Sequence, residues 1–219
     1  MISTKAPSSN LRDGNPEQSP KLYSVVPWDD TGSILPLSSL ATICLPGYKD
    51  HLYFLGVDPG LKGGIALLDD QLRAVWLSHM PTSSNGHDLD IHALASIISN
   101  LVLGYRIQLT LLEDPIAMPH QNVVSTLKTG EVYGITRTIL ELSGQGYVQV
   151  KAKEWQKAML PEGTKGRASC KAASIQVASD LVGAHALIPL KARVPHDGIA
   201  DAVCMAAYAV TLHKNWTVN

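Results

Sequence analysis

The chain has 219 residues, 45% of them hydrophobic, a formal net charge of -1 and three cysteines. That length and apolar content describe a globular chain with room for one full core plus an appendage, which excludes a disordered protein. Near-neutral charge excludes a nucleic-acid partner held by bulk basicity, and Cys44, Cys170 and Cys204, with no CxxC pair, exclude a disulfide framework or sulfur-bound zinc and fit a reducing compartment.

Residues 1–52 are rich in Ser, Pro, Asn and Asp and carry only short apolar pieces, so they read as a poorly ordered N-terminal extension ahead of a 53–219 domain. The first twelve residues hold Lys5 and Arg12 without an acid, a faint organelle-import pattern that Asp13, Glu17, Asp29 and Asp30 then spoil. The apolar window 34–46 is broken by Pro36, Ser38, Ser39 and Thr42 and is shorter than a bilayer span, so a soluble protein with no membrane partner is expected.

From Tyr53 the pattern becomes regular. The apolar run 53–57 predicts a buried strand ending in Asp58-Pro59-Gly60, then come a Gly-rich turn, a strand over 65–68, a two-residue turn at Asp69-Asp70 and a strand near 73–77, an antiparallel meander. Leu89, Ile91, Leu94, Ile97, Ile98, Leu101 and Val102 form an i, i+3, i+4 stripe that predicts a helix over 88–103. Residues 107–112 are a continuous apolar run of strand length, and they end in Glu113-Asp114-Pro115, which repeats the Asp58 arrangement. A long helix over 123–142 follows, whose Gly130 and Gly134 would let a neighbour approach closely. Then come a short strand over 147–150, a helical piece over 154–159, a loop over 161–166, an Ala/Ser-rich helix over 167–181 and a last helix over 197–212 opened by Pro195-His196-Asp197-Gly198. Three antiparallel strands followed by helix-linked parallel strands make a mixed five-stranded α/β sheet with helices on both faces.

In such a sheet chemistry sits at strand ends. Asp58 and Glu113 can bring their carboxylates together if their strands are neighbours, and Asp197 and Asp201 share one face of the last helix. Ordinary alternatives exist: Asp58 suits a turn, Glu113 a solvent-facing strand exit and Asp197 a helix N-cap. Asp201 is hardest to place that way, because an acid among Ala200, Ala202, Val203 and Met205 is costly without a partner. Four carboxylates without a His or Cys set form a hard-oxygen site for Mg²⁺ or Mn²⁺, and two such ions about 4 Å apart suit phosphodiester cleavage. His196 is a candidate base or phosphate contact, or only a polar cap. Lys151, Lys153, Lys157, Lys165, Arg167 and Lys171 face only Glu154 and Glu162 across 151–171, a local DNA-binding patch or an ordinary solvated face.

The ordered combination of Gly-Val-Asp-Pro-Gly-x-x-Gly-Gly at 56–64, Leu-Leu-Glu at 111–113, Trp155 with Lys157, and His-Asp-Gly-Ile-Ala-Asp-Ala at 196–202 resembles the RuvC-like Holliday junction resolvases, most of all their phage-type and plastid-type branch. The resemblance implies a ribonuclease-H-like fold, a homodimer, and paired Mg²⁺-dependent nicking of four-way junction DNA, leaving 5′-phosphate and 3′-hydroxyl ends, in recombination and repair. It implies two Mg²⁺ ions, with Mn²⁺ substituting, held by Asp58, Glu113, Asp197 and Asp201, and a cytoplasmic, nucleoid-associated location. Three features depart from the family pattern. The final acid pair is four apart where the bacterial pattern has three, the segment Ser125–Gly130 has no aromatic, and Trp155-Gln156-Lys157 replaces Trp-Lys-Lys. The competing readings are a ribonuclease-H-like nuclease on another nucleic-acid structure, a catalytically silent junction-binding relative, and an ATP-dependent actin-like fold, for which the chain is short and lacks a second Asp-Gly-Gly loop.

Overall fold

The computed structural model describes residues 51–115, 122–190 and 192–218, and what the sequence predicts for residues 1–50 lies outside them. Short apolar segments bounded by turn residues give the first three strands, β1 (Tyr53–Asp58), β2 (Gly64–Asp69) and β3 (Ala74–His79). They pair antiparallel, with Asp58 opposite Gly64 and Gly64 opposite His79. The turn between β2 and β3 is longer than the two residues read from Asp69-Asp70. Asp69 stays in the strand and its carboxylate closes the turn: Oδ1 accepts from Gln71 N and Arg73 N at 2.9 Å each, and Oδ2 accepts from Arg73 Nε at 2.6 Å. Leu72 takes a left-handed φ of 65° there.

Helix α1 (Ile91–Gly104) starts later than its apolar stripe predicts, because Asp90 caps it and accepts from Ala93 N at 2.9 Å. The chain then crosses to β4 (Ile107–Asp114), which lies parallel to β1 with Val57 opposite Leu112. Helix α2 (Val123–Leu142), capped by Asn122, leads to β5 (Val148–Lys151), parallel to β4 with Glu113 opposite Val150. The sheet order is β3-β2-β1-β4-β5. Helices α3 (Ala152–Met159) and α4 (Arg167–Val182), a 3₁₀ turn at Ala184–Leu187 and α5 (Asp197–Val218) complete the chain. Helix α5 outruns its apolar stripe, which stops at Leu212, and its last turns are exposed.

Helices cover both faces of the sheet, as the sequence predicts. Leu55 and Leu67 pack under Leu94 and Ile98 of α1 on one face, and Phe54 and Leu111 pack under Val203 and Met205 of α5 on the other, all of them fully buried. Each such side chain stabilises the fold by about 1.5–3 kcal/mol. Helix α5 lies so close to β1 that a Cβ on Gly56 would come within 2.2 Å of the Ala202 carbonyl oxygen. Gly130 and Gly134 of α2 differ from expectation: a Cβ at either would meet nothing within 4 Å, so no neighbouring element of the described chain uses the space they leave. No helix among the described residues is long and apolar enough to cross a membrane.

Candidate active site

Because β1 and β4 are parallel neighbours, their carboxyl ends lie together, and Asp58 and Glu113 stand one step beyond the Val57–Leu112 pair. The third acid arrives from the covering helix. A Cβ on Gly198 would lie 2.1 Å from Lys62 O, so only glycine lets the first turn of α5 rest on the Gly-rich turn that follows Asp58. One helical turn further on, Asp201 faces the two strand-end acids.

The electrostatics record this convergence. Burial first, then the charge of Asp201, raise the Asp58 carboxyl to about 7. Burial first, then Asp58, raise Glu113 to about 8. Burial raises Asp201 to about 6, partly offset by the Ser174 hydroxyl. Three half-buried carboxyls that resist ionisation, chiefly through burial and then through neighbouring acids, call for a cation, and an all-oxygen donor set fits a hard divalent ion. Two hydrogen bonds fix their orientation: Gly60 N donates to Asp58 Oδ1 at 3.2 Å, and Trp155 Nε1 donates to Glu113 Oε2 at 2.9 Å. Cys204, buried near Asp201, has its thiol pushed up to about 12 and is inert there.

Asp197 differs from the other three. Burial alone would raise its carboxyl, but the hydrogen bond and charge of Lys171 carry it below the usual carboxylate value. Lys171 Nζ is ion-paired with Asp197 Oδ2, so the fourth predicted acid is satisfied by a lysine that the sequence placed among the DNA contacts. His196 is half-buried, and burial, followed by the nearby charges of His79, Lys171 and Lys62 against the opposing effect of Asp197, holds it below its usual value. Its Nδ1 accepts from Ile199 N at 3.4 Å, which leaves the proton of the neutral ring on Nε2.

No three of the four predicted acids bring ligand atoms within 4.8 Å of one another; among the described residues His51, Asp69 and Asp70 do. The His51 group could hold a metal by distance alone, but both Asp69 oxygens are already used by the Arg73 turn. It also lies at the opposite end of β1 from Asp58, since Asp69 pairs with Tyr53, about 17 Å away along the strand. Of the predicted basic patch, Lys153, Lys157 and Lys165 line one open cavity of about 510 Å³. Lys151 and Arg167 are exposed, and Lys171 points to the acids. Sequence reasoning missed three features of the site: the Trp155–Glu113 bond, the Lys171–Asp197 pair and the approach of His79. Trp155 alone carried a signal, as part of the Trp155-Gln156-Lys157 motif.

No protein-family model matches the sequence, and no curated protein matches it. Solved structures do match. Thermus thermophilus RuvC in complex with a Holliday junction substrate superposes with a TM-score of 0.54 at 16% identity, over 75% of this chain and 97% of that one. The fold is that of RuvC. A second Thermus thermophilus RuvC structure gives a TM-score of 0.50 at 14% identity, over 74% of this chain and 96% of that one. The five-stranded order, antiparallel across β3, β2 and β1 and parallel across β1, β4 and β5, is the ribonuclease-H-like arrangement that the two share.

Proposed function

We propose that this chain is a divalent-metal-dependent endonuclease that resolves four-way DNA junctions. The observation that carries the reading is the convergence of Asp58, Glu113 and Asp201 from β1, β4 and α5, each carboxyl raised by burial and by charged neighbours. The substrate class is supported by the RuvC fold, one representative of which was solved in complex with a Holliday junction substrate.

Asp58, Glu113 and Asp201 would hold Mg²⁺ or Mn²⁺, with Asp197 as the fourth acid. Two such ions, when bound, lower the pKa of an attacking water and stabilise the departing oxygen of a phosphodiester. The chain's own residues do the rest. Trp155 and the Gly60 N–H orient the carboxylates. Lys171, balanced by Asp197, brings a cation to the same mouth, where a phosphate oxygen can exchange for the carboxylate. His196 presents an Nε2–H donor beside it. Paired nicks in opposed strands need two such sites, so the working unit is a homodimer.

Asp58→Asn and Glu113→Gln should each abolish Mg²⁺-dependent cleavage of a synthetic four-way junction while keeping binding in EDTA. Undiminished cleavage by either variant rejects the site. Equal cleavage of duplex, hybrid and flap substrates by the wild type rejects the junction preference.

A further inference from the structure

Beside the acids stand two nitrogen-bearing side chains that neither the motifs nor the 151–171 patch accounts for. Lys62, in the turn between β1 and β2, is exposed and forms no ion pair among the described residues. His79 ends β3, also exposed, with Nδ1 2.9 Å from the Met80 carbonyl oxygen. A carbonyl only accepts, so Nδ1 carries a proton, and the outward Nε2 donates to a phosphate oxygen when the ring holds its second proton as well.

Backbone contacts bring these two residues to the same rim. Met80 N donates to Gly63 O at 2.9 Å, tying the end of β3 to the turn that carries Lys62. That turn in turn supports Gly198, whose Cβ, if present, would lie 2.1 Å from Lys62 O. The same packing sets the His79 ring 6.0 Å from the ring of His196. Both Lys62 and His79 act on His196 through their charge, which agrees with that placement.

The sheet order says where the rim lies. Asp58 and Glu113 end the central strands β1 and β4, and the 151–171 lysines follow β5 on one side. Lys62 and His79 come from the β2 and β3 side. Two strand spacings, about 10 Å, separate β3 from β1, a reach that suits a backbone phosphate near the one that is cut. Resting on the nuclease reading above, we infer that Lys62 and His79 form a second phosphate-binding arm. It grips the substrate strand on the β3 side of the acids while the lysine patch grips it on the β5 side. Contacts of this kind position the strand and carry no base information.

The test is binding of a fluorescent four-way junction in EDTA over a salt series. Lys62→Ala should weaken binding about three- to tenfold and lower the slope of log K against log salt by about 0.9, the signature of one lost phosphate contact. His79→Gln should act in the same direction but less, Lys62→Arg should restore both quantities, and Lys214→Ala, near the far end of α5, should change neither. Both side chains are exposed, so matching thermal unfolding curves confirm intact folding. Unchanged affinity and slope in the Lys62→Ala/His79→Gln double variant, with wild-type binding present, overturn the second arm and leave the nuclease reading standing. If the wild type binds no junction at any salt, both fall together.

Discussion

Trp155 donates its indole N–H to Glu113 Oε2 at 2.9 Å from a position 42 residues further along the chain. The bond counters the burial and the Asp58 charge that raise Glu113 to about 8. Trp155→Phe keeps most of the buried ring and removes the donor, so the Glu113 carboxylate loses a stabilising partner and its pKa rises further. A hydrogen bond to a charged group is worth about 1.5–3 kcal/mol, which corresponds to about one to two pH units. The acidic limb of the pH profile of cleavage should move upward by that amount. An unmoved limb means that Trp155 serves only as core packing.

The three raised carboxyls also fix how stability responds to pH. Unfolded, they titrate near the ordinary values of 3.8 and 4.5, whereas folded they titrate at about 7, 8 and 6. Between those ranges the folded state binds more protons, so the unfolding free energy falls as pH rises from about 4 to 8. The stability that the protonated forms confer is full at the acid end of that window and is lost across it. Metal-free protein should therefore melt lower at pH 8 than at pH 6. Asp58→Asn should raise the metal-free melting temperature at pH 8, by about 2–4 °C for each kcal/mol recovered. Added Mg²⁺ should stabilise the wild type more at pH 8 than at pH 6. Calorimetry across pH 5.5–8.5 with and without Mg²⁺ checks all three, and a flat metal-free profile contradicts the coupling.

What the sequence made legible follows from the range of the interactions involved. The strands ending in Asp58 and Glu113 were readable because an apolar run and a turn are local patterns, and parallel neighbours are the rule for such a crossover. Asp201 was readable because an acid in an apolar stretch of helix needs a partner. The longer turn after β2 was not, since it depends on the Asp69 carboxylate being taken by Arg73 and two backbone N–H groups. Asp197 already suited a helix N-cap as well as a ligand, but its partner was not readable, because the docking of α4 against α5 brings Lys171 to it across 26 residues. Gly56 and Gly198 read as turn or motif glycines, and their real work is to let α5 touch the sheet backbone.

On the nuclease reading, the Lys171–Asp197 ion pair predicts different roles for the acids. Asp197 has its charge answered by Lys171, whereas Asp58 has no ion-pair partner among the described residues and is repelled by Asp201. Asp197→Asn should then reduce cleavage by about 10–100-fold, as changes behind a primary ligand shell do. Asp58→Asn should leave no measurable cleavage. Side-by-side single-turnover rates on one junction decide it; equal losses would place Asp197 on the same footing as Asp58. Lys171→Met should raise the Asp197 carboxyl, because the hydrogen bond and charge that lower it are gone. Carboxyl NMR titration of the metal-free protein follows that shift.

The contact between α5 and β1 leaves no room for a side chain at Gly56. A methyl at Gly56 would meet Ala202 O at 2.2 Å and Ala206 N at 2.6 Å, both backbone atoms that cannot rotate away. Helix α5 would have to shift off the strand, carrying Asp201 away from Asp58. Overpacking of this kind costs about 1–3 kcal/mol or more, so Gly56→Ala should lower the melting temperature by about 2–12 °C. Cleavage should fall as well, even at temperatures where the variant stays folded, because Asp201 is displaced from the strand-end acids. Gly130→Ala is the opposite case: the Cβ enters open space in the middle of α2, and alanine is the better helix former by about 0.5–1 kcal/mol. It should raise the melting temperature slightly. Thermal unfolding of the two variants side by side tests whether glycine at 56 is required by the helix above it or is merely tolerated.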